Sequence, residues 1–123
     1  MKEELSKWPK NMVINAELMN YRTKDIKNVL IVHCVMVYNG KPLIGKTWGD
    51  SRKILDDCPS QTCVQVSQLY QSGFWKLFEE ADGNVIEGII LKQPAGKLVF
   101  STTPIPDVGF MYKIRKPSKK YPF

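Results

Sequence analysis

Between Val29 and Tyr38 the chain reads VLIVHCVMVY, ten residues rich in β-branched side chains and free of Gly and Pro. Successive side chains of a strand face opposite ways, and here both alternating sets are apolar. Such a strand needs cover on both faces, which places it at the centre of a sheet. It runs into Asn39-Gly40, the pair best suited to two successive positive φ angles, so a type I′ hairpin is expected. Pro42–Trp48 would then return antiparallel, with Pro42 beside the turn or on an edge.

Other segments supply further strands. Asn11–Arg22 fits two periods. Val13, Ala16 and Glu17 have helical spacing, whereas Met12, Ile14, Ala16 and Leu18 alternate, and the strand is preferred. Thr62–Tyr70, Val85–Leu91, Lys97–Ser101 and Phe110–Ile114 read as strands. In 74–81, Phe74, Leu77, Phe78 and Ala81 follow the helical i, i+3, i+4, i+7 pattern. The hairpin signal Asp82-Gly83-Asn84 comes next, so a strand is preferred there too. One short helix is expected through Arg52–Leu55, capped by Asp50 or Ser51 and stopped before Pro59. The sum is a mainly β (β-rich α+β) domain, a small antiparallel barrel or sandwich of six or seven strands with one short helix.

At 123 residues the chain has material for one core. Residues 1–10 read as a flexible polar arm with Trp8 as an anchor, 11–114 as the domain, and 115–123 as a basic extension. Hydrophobic residues are 43% and charged residues 24%, which excludes a disordered chain. No run of eighteen apolar residues exists, and the first nine residues lack the apolar core of a signal peptide. An intracellular location, cytoplasm or nucleus, is therefore expected.

The formal net charge is +6, from 18 Lys and Arg against 12 Asp and Glu. Five of those cations, Lys113, Arg115, Lys116, Lys119 and Lys120, fall within eight residues that hold no acid. Without them the remainder is 13 basic against 12 acidic, a body of +1. A nearly neutral domain with a basic end can attract nucleic acid, an acidic protein or an anionic surface. Pro117 and Pro122 argue against an amphipathic helix there.

Gly40-Lys41-Pro42-Leu43-Ile44-Gly45-Lys46-Thr47 matches the phosphate-binding pattern G-x-x-x-x-G-K-[ST]. Bulky inner residues, an amide removed by Pro42 and the lack of strand–helix alternation favour a plain hairpin. The three cysteines, Cys34, Cys58 and Cys63, with the single His33, lack the paired short spacings of a zinc site. They read as reduced thiols, and Cys58 and Cys63 are spaced for a local disulfide as the alternative. His33 and Cys34 are strand neighbours facing opposite ways, so they do not form a dyad. Asp56-Asp57 and Glu79-Glu80 are adjacent rather than opposed. No catalytic set, cofactor or metal is expected.

Aromatic residues interleave with basic ones in two places. Trp48 lies between Lys46 and Arg52, and Trp75 and Lys76 lie among Tyr70, Phe74 and Phe78. Rings that stack bases beside cations that meet phosphates are the means by which sheets bind single strands. The competing use of these rings is core packing. The favoured expectation is a non-enzymatic, OB-like module for single-stranded nucleic acid. It would use Lys46, Trp48, Arg52, Trp75, Lys76, Lys113, Arg115, Lys116, Lys119 and Lys120. The alternatives are a protein-interaction or assembly module with an aromatic docking face, homo-oligomers included, and a nucleotide-binding protein using residues 40–47.

Overall fold

The computed structural model describes residues 1–21, 27–83, 86–99 and 109–117. Lys119 and Lys120 lie outside them, as do Phe100 and Ser101 of an expected strand. In chain order the elements are α1 (Lys2–Leu5), β1 (Val13–Tyr21), β2 (Lys27–Tyr38), β3 (Lys41–Pro42), α2 (Trp48–Leu55), β4 (Val64–Val66), α3 (Phe74–Glu80), β5 (Gly88–Lys92) and β6 (Met111–Arg115). The protein is mostly β, with six strands among the described residues and three short helices where one was expected. Those strands form two sheets and no closed barrel.

β2 is the central strand, as its two apolar faces require. On one side it pairs antiparallel with β1 along nearly its whole length. On the other side its far end pairs antiparallel with β3 and its near end pairs parallel with β4. The turn is the expected one, with φ of 53° at Asn39 and 76° at Gly40, but the return is strand only at Lys41–Pro42 and not over Pro42–Trp48, since Thr47 caps a helix that begins at Trp48. β5 and β6 form the second, two-stranded antiparallel sheet.

β2 does not keep strict alternation. Its register against β1 slips twice, leaving His33 and Met36 without direct partners. Each slip is a bulge that shifts the facing of the residues beyond it. Val32 and Val35, three apart, therefore enter the same core, with Trp8, Leu55, Cys58 and Val64. Cys34 and Met36 pack into a second layer with Trp48, Leu98 and Phe110.

The partial cover of β2 leaves a gap at Val35, between β3 and β4. α2 fills it with one hydroxyl. Ser51 Oγ accepts the Val35 N–H at 2.9 Å and donates to the Val35 carbonyl at 2.6 Å. Ser51 is thus not the helix cap. Thr47 takes that role, its Oγ1 accepting the Asp50 N–H at 3.1 Å.

Four expectations are corrected. Residues 74–80 are helix: Gly73 enters with φ of 73°, and the helical spacing of the apolar residues prevails over the turn signal behind it. The Thr62–Tyr70 strand is only Val64–Val66, because Arg52 Nη2 takes the Ser67 carbonyl at 2.9 Å just beyond it. Of the expected Lys97–Ser101 strand, the described residues 97–99 form a single bridge, from Lys97 to Thr47. Residues 1–10 contain α1 and place Trp8 in the main core.

Glu4 fixes that N-terminal segment. Its carboxylate accepts the N–H groups of Thr62, Cys63 and Val64 at 3.0, 2.7 and 2.7 Å. Desolvation raises its pKa, but these three bonds outweigh it and hold the carboxyl below its ordinary value. A depressed carboxylate contributes stability that is present above the unfolded-state pKa and lost as pH falls through the folded one. Urea unfolding across acidic pH should show Glu4→Gln less stable than the wild type near neutrality. The two should converge as Glu4 protonates, and a gap that persists in acid would refute the assignment.

Candidate binding surface

The residues picked out in the sequence separate into two groups. The first surrounds α2. Trp48 is only 5% exposed and sits in the second apolar layer, with Lys92 Nζ 4.8 Å from its ring centroid. Arg52 is buried, with Nη1 on Asp56 Oδ1 at 3.1 Å and Nη2 on the Ser67 carbonyl. Both arms of its fork are engaged within the fold. Lys46 is exposed beside them. The cation over the Trp48 ring is Lys92, and the ring is buried rather than open for stacking.

The phosphate-binding pattern has a structural use of its own. The amides of Leu43, Gly45, Lys46, Trp48 and Gly49 donate to the carbonyls of Met36, Leu98, Leu43, Gly96 and Pro94. The Thr47 hydroxyl caps α2. Within the pattern, the amides of Leu43, Gly45 and Lys46 and the Thr47 hydroxyl are committed to the chain itself.

Lys92 was not singled out in the sequence, where it only ends the apolar run GIILK. Burial lowers its pKa and Arg52 adds to this, with Cys34 opposing. Burial likewise raises Cys34, against Lys92 and Ser51, and lowers His33, with Lys92 adding and Glu17 opposing. The bulge at His33 breaks the alternation expected at the His33–Cys34 pair. The Cys34 thiol nonetheless points to Met36 Sδ at 3.7 Å. A protonated, buried thiol beside a neutral imidazole is a poor nucleophile. Cys34, Cys58 and Cys63 are all free, and no group of three potential ligands is assembled for a metal among the described residues.

The second group is open to solvent. Trp75 is 71% exposed on α3, with Phe74, Lys76 and the preceding Tyr70 also exposed. Its ring lies 5.9 Å from that of Phe78, tilted by 41°. Lys116 reaches α3 from the end of β6. Its Nζ donates to the Glu79 carbonyl at 2.6 Å and lies 5.3 Å from the Phe78 ring centroid. A cation at the carbonyl end of a helix is well placed against the dipole. Arg115 Nε is 3.7 Å from Glu87 Oε2, and the Lys116 amide donates to the Glu87 carbonyl at 2.8 Å. Arg115 and Lys116 therefore belong to the folded body, not to an extension. On β6, Lys113 is exposed between Tyr112 and Ile114, both also exposed.

The structure thus joins Trp75, Phe78 and Lys116 in one contiguous surface, with Lys76 exposed on the same helix and Lys113 exposed on β6. Trp48 and Arg52 are turned inward. Comparison of the chain with protein-family models, curated proteins and solved structures finds no match.

Proposed function

We propose that the chain is a small non-enzymatic binding module whose partner is single-stranded nucleic acid, held on α3 and the end of β6. The supporting observation is the junction of an exposed ring with the basic segment. Trp75 offers a stacking face, and Lys116 meets the same helix one turn away. Lys76 is exposed next to Trp75 on α3, Lys113 is exposed three residues before Lys116 on β6, and Lys119 and Lys120 come after Pro117 in the chain. The platform is a helix beside a two-stranded sheet, in place of the OB-like barrel surface expected from the sequence. The shared layer of Cys34, Trp48, Leu98 and Phe110 supports reading the two sheets as a small open sandwich beneath it.

The chain carries its own reporter. Trp8 and Trp48 are buried at 7% and 5% exposure, so base stacking would act on the emission of Trp75. Titration with a single-stranded oligonucleotide should quench that emission at low salt. With Lys76, Lys113, Lys116, Lys119 and Lys120 on phosphates, log K should fall against log salt with a slope of about −3.5. Trp75→Ala should weaken binding by about 1–3 kcal/mol. A chain ending at Pro117, which keeps β6 whole, should lose about 1.4 of that slope. Absence of quenching at low salt sinks the reading.

A protein partner is the second reading. It is supported by the exposed apolar residues Ile90, Tyr112 and Ile114 on the β5–β6 sheet. Association that ignores salt and survives Trp75→Ala would favour it.

A further inference from the structure

β1 is the edge of the four-stranded sheet, and among the described residues its outer side has no strand beside it. The direction of its backbone groups is set by β2. Val35 turns its N–H and carbonyl to Ser51, the Val32 carbonyl accepts from Ser67, and the Leu30 N–H donates to Cys63. All three point away from β1. Their partners across the ladder are Ile14, Ala16 and Leu18. Partners in a non-hydrogen-bonded antiparallel pair turn their groups away from each other, so these three residues aim N–H and C=O out of the open edge.

Natural edges are usually blunted by Lys, Pro or shortness. β1 has nine residues, VINAELMNY, with no Pro and no cation. Val13 and Leu18 are 54% and 50% exposed on it. The sequence is also self-complementary about Ala16. Laid antiparallel on a second copy, Val13 meets Met19, Ile14 meets Leu18, Asn15 meets Glu17, and Ala16 meets Ala16. The residues with outward backbone groups meet one another, giving about six hydrogen bonds. The exposed Val13 and Leu18 both gain apolar neighbours, and each Glu17 carboxylate gains an amide donor. The neighbouring registers fail. One sets Glu17 against Glu17, and the other sets Val13 against Glu17.

We propose that β1 pairs with β1 of a second copy of this chain about a two-fold axis at Ala16, joining two four-stranded sheets into one. The contact is isologous and closes on itself, which limits assembly to a dimer. It uses none of the residues assigned to nucleic acid, so the two readings fail independently.

Sedimentation equilibrium of the full chain over about a hundredfold range of concentration tests it. The wild type should dimerise. Asn15→Glu places two carboxylates opposite each other twice and should weaken the dimer about tenfold. Adding Glu17→Lys turns both places into opposite-charge pairs and should recover the affinity. Asn15 and Glu17 are exposed, so far-UV circular dichroism should be unchanged in both variants. Amide exchange at Ala16 and Leu18 should slow as concentration rises. A chain that stays monomeric at every concentration overturns the proposal. So does a dimer indifferent to Asn15→Glu, or one that the second substitution does not rescue.

Discussion

Replacing Trp8 with alanine is expected to cost about 3–5 kcal/mol of stability, although the residue sits in a polar stretch that reads as a loose arm. The indole is 7% exposed and packs with Val32, Val35, Leu55, Cys58 and Val64, the side chains at the centre of the main core. Truncation removes the ring from water-excluded surroundings and leaves a cavity that β2 and α2 cannot readily close. For a domain of ordinary stability, about 5–15 kcal/mol, that is a large share of the total. Urea midpoints measure it, with Trp75→Ala as the control. Trp75 is 71% exposed, and its loss should change stability by no more than about 0.5 kcal/mol. Removing residues 1–10 altogether should cost more than Trp8→Ala. It also strips the Glu4 carboxylate from the amides of Thr62, Cys63 and Val64. Equal losses for Trp8→Ala and Trp75→Ala would mean that the N-terminal segment does not complete the core.

The parts of this fold that were legible in the sequence are those decided locally. VLIVHCVMVY has no stable use except as a covered strand, and Asn39-Gly40 dictates its return whatever surrounds it. β1 was recovered from alternation alone. α3 was legible in its apolar spacing but was outweighed by Asp82-Gly83-Asn84, a signal that marks a turn without saying what precedes it. The bulges at His33 and Met36 were not legible, because they depend on the fit of β1 to β2 rather than on either strand. Burial of Trp48 and Arg52 was missed for a related reason. Adjacency to Lys46 says what the local charge is, not which side of α2 meets the sheet. Trp75 and Lys116 stand far apart in the sequence, and only the packing of α3 beside the end of β6 makes them one surface.

Substituting alanine for Ser51 is the second large effect, and it tests how the central strand is completed. Between β3 and β4 the edge of β2 has no strand to pair with, and a buried backbone group without a partner costs about 1–3 kcal/mol. Here two such groups, the N–H and the carbonyl of Val35, are served by one hydroxyl that accepts from the first and donates to the second. Ser51 is fully buried, so water has no open route to replace it. Ser51→Ala removes one oxygen, changes little volume and leaves both groups unpaired. A loss of about 2–4 kcal/mol is expected, far more than the usual effect of a Ser→Ala change in a helix. Amide exchange separates this account from a simple loss of packing. Val35 should exchange much faster in the variant, while Val32, held on the same edge by β4 and Ser67, should track only the global change in stability. If Val35 and Val32 accelerate together, the hydroxyl is not what closes the gap, and α2 holds β2 through its apolar face alone.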